Sequence, residues 1–112
     1  MGWTDGKKKK VPVQDGFVKF YDDIYDTLIF DYQDIEKVRI AKPDKTPYVT
    51  VACKEFPFLG IWTKKEAKFI CLEPGVGRTD DDGFAGTLKE KTGEQVLASG
   101  ASKVIEHTIE FH

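Results

Sequence analysis

No apolar run in this sequence approaches the length that crosses a bilayer as a helix, and Met1 is followed by a polar stretch rather than a hydrophobic signal core. The expected setting is the cytoplasm, with no membrane partner. Charge of one sign is missing too: 17 basic and 19 acidic side chains leave a formal net charge of -2, so nothing global draws the chain to nucleic acid. Cysteine is scarce. Cys53 and Cys71 each fall in an apolar strand-like run without C-x-x-C spacing, which favours two buried free thiols over a disulfide, a zinc site or a redox pair. Histidine is as rare, and His107 has no second histidine or cysteine at ligand spacing, so it reads as a core residue rather than a metal ligand. A phosphate-binding P-loop, a dinucleotide fingerprint and a G-x-S-x-G elbow are all absent, and no cofactor or metal is implied.

What is present is strand after strand at short spacing. With 40% hydrophobic and 12% aromatic residues, 112 residues suffice for one domain with a core, and a single β domain over 1–112 is expected, with 1–10 as a polar N-terminal lead. Runs rich in β-branched and aromatic residues, separated by Gly, Pro and Asp clusters, place strands at 11–13, 17–21, 27–31, 37–42, 48–53, 59–63, 68–73 and 103–111. The last alternates most cleanly: Ile105, His107, Ile109 and Phe111 share one face, Glu106, Thr108 and Glu110 the other. Helix signals are nearly absent, apart from YDDIYD at 21–26, where Asp22 could cap a single turn. The fold class expected is all-β, an antiparallel β-sandwich or curved sheet.

Two polar motifs invite chemistry and decline it. The four lysines at 7–10 lack the interleaved aromatics of a nucleic-acid surface and read as a solvated start. RTDDDG at 78–83 suggests a calcium loop, but with Gly83 at its sixth position the first and twelfth ligand places hold Arg78 and Lys89, so a polar turn is expected.

KFICLEPGVG at 68–77 is different. It sets the carboxylate of Glu73 after an apolar run and before Pro74, which forces Glu73 into an extended conformation at the expected end of the strand. Gly75 and Gly77 then let the backbone approach something closely. A carboxylate at the lip of a sheet suits acid-base work; the plainer alternative is that Glu73 faces water where the strand runs out.

DTLIFDYQDIEKVRI at 26–40, FPFLGIWTKKEAKFICLEP at 56–74 and the closing stretch 75–111 together resemble the C-terminal part of aldose 1-epimerase-like proteins of the galactose mutarotase superfamily, most closely the LacX-type branch. The family's "alIF", "yLgiW" and "pFiCiEPW.G..D" segments correspond to 28–30, 58–62 and 69–74 with Gly77 and Asp80, in the same order, over about the last three-quarters of the chain. The resemblance implies the C-terminal part of the mutarotase supersandwich as fold and a sugar or sugar phosphate as ligand. It makes Glu73 the match of the general base that takes the anomeric hydroxyl proton, with Asp80 or Asp26 holding hydroxyls and Trp62, Phe69 and Phe84 as apolar contacts. Two departures matter. The family's catalytic histidine comes from segments upstream of those matched, and His107 does not align with it; Gly75 stands where the family carries an aromatic residue after Glu-Pro. Sugar binding with weak or no mutarotase activity is the leading expectation. Alternatives are an active epimerase whose acid comes from a second subunit, and a self-associating β protein that binds another small ligand. Apolar strands at 48–53 and 59–62 that a larger sandwich would cover point to a two-fold homodimer.

Overall fold

The computed structural model describes residues 7, 10–19, 28–31 and 34–112. Its strands are β1 (Leu28–Asp31), β2 (Lys37–Ala41), β3 (Pro47–Ala52), β4 (Phe58–Trp62), β5 (Cys71–Gly75) and β6 (Thr108–Phe111), with one 3-10 turn at Leu88–Glu90. They form two antiparallel three-stranded sheets, ordered β1-β4-β5 and β2-β3-β6. The protein is thus all-β and sandwich-like. Among the described residues no helix is long and apolar enough to cross a membrane.

Local chemistry accounts for the central strands. FLGIW has no charge, and its first four residues are buried, as befits the middle strand of the sheet. The β2-β3 hairpin turns where Lys45 adopts a left-handed conformation (φ 68°) and Asp44 accepts hydrogen bonds from the backbone N–H and the hydroxyl of Thr46. The Thr46 hydroxyl, ahead of its N–H, holds the Asp44 carboxyl below its ordinary range. The buried apolar core consists of Val51, Cys53, Phe58, Leu59 and Ile61. Both cysteines are free thiols. Cys53 donates to Ile35 O at 3.6 Å, and burial pushes its thiol pKa up, whereas Cys71 is only half-buried.

One side chain ties the first sheet to its long loop. The Arg78 side chain is 9% exposed; its Nη1 donates to Asp81 Oδ1 at 2.9 Å and to Thr79 O at 3.0 Å, and its Nη2 to Asp81 Oδ2 at 3.3 Å. Its Nε lies 3.5 Å from Asp31 Oδ1 at the end of β1, and its guanidinium stands 6.0 Å over the Phe58 ring. Gly93 presses on the same ring from the returning loop: a Cβ there would come within 2.7 Å of Phe58 Cε2, and its φ of +80° favours glycine besides.

The strands differ from the sequence reading in instructive places. Residues 11–13 form no strand, and Phe17 takes part only in an isolated bridge to Gln14 around a turn at Asp15 and Gly16. Phe20, Tyr21, Thr27 and the proposed turn at 21–26 lie outside the described residues. The run placed at 68–73 becomes β5 at Cys71–Gly75, starting three residues and ending two residues later; its end moves because Pro74 sits on an edge strand, where its missing N–H can face outward and the ladder continues to Gly75. The run at 103–111 pairs only over Thr108–Phe111, because β3 ends at Ala52, opposite Thr108. All four β6 residues are exposed, and His107 is an exposed residue before the strand, its ring edge-on to Phe56 at 5.9 Å, rather than a core residue within it.

Replacing Arg78 with methionine keeps much of the packing on Phe58 but removes a cationic partner of Asp31 and Asp81. Both carboxylates are partly wet, so the expected loss is about 2 kcal/mol in urea unfolding. An unchanged midpoint would show that Arg78 does not fasten the loop.

Candidate functional site

The register of β4 and β5 sets the site. Phe58, Gly60 and Trp62 lie opposite Gly75, Glu73 and Cys71, so these six side-chain positions share one face. Leu59, Ile61, Leu72 and Pro74 take the opposite face. Glu73 is the third of the five residues of β5, not its last, and is exposed. Its partner, Gly60, has no side chain to compete with: a Cβ at Gly60 would stand 3.4 Å from both Cβ and Oε2 of Glu73. The carboxylate thus lies across bare backbone.

The two ends of this face are built differently. At one end the Trp62 and Phe69 rings meet at a centroid distance of 5.1 Å with a 49° tilt, and the Thr63 hydroxyl donates to Phe69 O at 2.6 Å to close the connecting loop. At the other end, Arg78 and Gly93 cover Phe58. The path of the chain after Glu73 is narrow, since a Cβ on Gly75 would meet Gly77 O at 2.8 Å. Gly75 therefore leaves no room for the aromatic residue that the resemblance leads one to seek there.

Asp80 lies in the loop after β5. It pairs with Lys91 at 3.1 Å and lines a small concavity of about 310 Å³ with Asp81, Asp82 and Phe84. Among the described residues no group of three or more histidine, cysteine, aspartate or glutamate side chains is arranged to hold a metal. Asp26 lies outside the described residues. Of the residues singled out from sequence, the structure brings Glu73 and Trp62 onto one face and adds Phe69 beside Trp62; Asp80 is engaged elsewhere.

A larger apolar groove of about 620 Å³ opens between the two sheets, lined by Ile40, Val51, Leu72, Ile109 and Phe111, with Phe69 at its margin. Glu73 is not part of it, because consecutive strand residues point to opposite faces and Leu72 takes the groove side. Phe69 alone touches both places, with its ring against Trp62 and 44% of its surface exposed.

Sequence reasoning missed Gly60, Arg78 and the 3-10 turn. An isolated glycine inside the apolar strand FLGIW is a signal of close approach, and TLKE at 87–90 carries the Ser/Thr-x-x-Glu capping pattern. Comparison of the chain with protein-family models, curated proteins and solved structures finds no match.

The loop beside the site contains a readable titration. Glu90 Oε2 accepts from the backbone N–H and the hydroxyl of Thr87, each at 2.7 Å, and these bonds, the N–H first, hold the Glu90 carboxyl below its usual 4.5. Because the folded pKa is depressed, the support this carboxylate gives the turn is complete above 4.5 and is lost as pH falls through the lower folded value. The Thr87 amide proton shift in NMR is expected to titrate with a midpoint below 4.5 and to stop titrating in Glu90→Gln. A midpoint at or above 4.5 would contradict the pairing.

Proposed function

We propose that this chain is a sugar-binding β module on the pattern of the C-terminal part of the aldose 1-epimerases, with weak or no mutarotation of its own. The observation that carries the reading is the cross-strand pair of Glu73 and Gly60: a carboxylate laid over bare backbone on the face that also holds Trp62. A carboxylate accepts hydrogen bonds from sugar hydroxyls, and an aromatic ring covers the apolar C–H face of a pyranose. The quoted motifs at 28–30, 58–62 and 69–74 give the same reading from the sequence side.

Ring opening needs a base at the anomeric hydroxyl and an acid at the ring oxygen, each within hydrogen-bond reach of its proton. Glu73 is suited to the first task. The sequence has two histidines, and both are engaged beside β6: His107 against the Phe56 ring, and His112 through Nε2, 2.8 Å from the Thr50 hydroxyl. Binding is therefore the role these residues serve best, and turnover by one chain is slow for want of the acid. The setting that goes with this reading is cytoplasmic.

Fluorescence and polarimetry test it together. Titrating glucose, galactose and their phosphates is expected to give a saturable change in Trp62 emission, absent in Trp62→Phe and weakened in Glu73→Gln. Polarimetry should show little acceleration of anomer interconversion, and Glu73→Gln should abolish whatever is present, since a general base typically supplies about a hundredfold to ten-thousandfold. If no sugar perturbs Trp62, and Glu73→Gln leaves every signal unchanged, the reading is wrong.

A further inference from the structure

The outer edge of β6 has no strand beside it among the described residues. Hydrogen bonds identify which residues face that edge. The N–H of His112 donates to Tyr48 O at 3.1 Å, so in the β3–β6 register the even-numbered residues turn their backbone groups toward β3, and past the end of β3 the Glu106 N–H meets the Glu55 side chain at 3.1 Å. By alternation Ile105, His107, Ile109 and Phe111 turn theirs outward, where the backbone donors and acceptors form an open template for another strand. The segment also outruns its neighbour. The alternation of residue types extends over 103–111, but the strand and its ladder to β3 cover only Thr108–Phe111, and 103–107 lie beyond its end.

We propose that two copies of this chain pair through this edge, antiparallel about a two-fold axis at His107, joining their β2-β3-β6 sheets into one. The charge pattern selects the axis. In a two-fold antiparallel pair, centring on Glu106 or Glu110 sets that glutamate opposite itself, and centring on Thr108 sets Glu106 opposite Glu110; like charges directly opposite are destabilising. Centring on His107 avoids all three. It sets Ile105 opposite Ile109 of the second copy, Glu106 opposite Thr108, and Val104 opposite Glu110, and it uses the whole run 103–111. Centring on Ile109 sets Phe111 opposite His107, and centring on Ile105 sets Ile109 opposite Ala101, so neither gives the facing pair of large aliphatic side chains that Ile105 and Ile109 make about His107.

Val104 makes the test clean, because it is 78% exposed and its replacement leaves the fold of one chain untouched. Sedimentation over a concentration series is expected to show twice the 12.7 kDa of one chain. Val104→Lys, which places a cation opposite Glu110, should tighten the dimer, and Val104→Glu should weaken it, each by roughly twofold to tenfold over the two equivalent pairs. Val104→Glu combined with Glu110→Lys should return the affinity toward that of the unmodified protein, which no other axis along this segment achieves. Circular dichroism checks that every variant keeps its β signature. A single-chain mass at all concentrations, a dimer on which the two Val104 variants act alike or not at all, or a double variant that fails to recover would each overturn the proposal.

Discussion

The Arg78 guanidinium is the constraint around which the first sheet is organised. A nearly buried cation is tolerated only when its charge and hydrogen-bonding capacity are met, and here the partners come from β1, from the loop's own backbone and from Asp81. Lifting the loop would break these pairings together and uncover Phe58, which is 2% exposed. The contact with Gly93 and the bond from the Gln95 side chain to Val76 O, at 3.3 Å, carry the return of the loop over the same ring. The position of the loop beside Glu73 thus follows from electrostatics at a ring two residues along the neighbouring strand from Gly60, not from any contact made by Glu73 itself.

The second sheet is held on different terms. Thr50 is its buried polar residue, and its hydroxyl accepts from Arg39 Nε at 2.9 Å while meeting His112 on the other side. On the opposite face Ile109 and Phe111 stay exposed and border the groove. Apolar burial is therefore concentrated around β3 and β4, and the chain's resistance to local opening should be uneven, greatest there and least along β6. The sheet that carries Glu73 thus stands beside one whose outer strand, β6, has no neighbouring strand on its outer edge among the described residues.

Much of this was legible in the sequence, and what was not has a physical reason. β2, β3 and β4 emerge within a residue of their ends because Pro47, Pro57 and the charged residues after Trp62 punctuate β-branched and apolar runs. β5 was misplaced because proline restrains its predecessor without ending an edge strand, and a sequence does not announce which strand is the edge. The alternation at 103–111 leads one to expect a packed face and a wet one, but all four residues of β6 are exposed, and where β3 stops is a fact about another part of the chain. Arg78 was invisible for the same reason: its meaning depends on Asp31 and Phe58, brought near only when the sheet closes. Glu73 could be found and assigned an extended backbone, but that Gly60 would lie opposite it depended on register.

Gly75 carries a consequence for how such a chain can evolve. The Gly77 carbonyl oxygen stands 2.8 Å from where the first carbon of any side chain at Gly75 would go, so the obstacle is backbone and cannot rotate aside. A bulky ring at this place is out of reach of one substitution, however useful it would be over the carboxylate. The peptide at Gly77 would have to be rerouted first, and Gly77 is itself wedged beside Gly93 and hence Phe58. The change is thus conditional on a prior shift that weakens packing and brings no benefit alone. In this loop the backbone itself, rather than any side chain, sets what can stand at position 75.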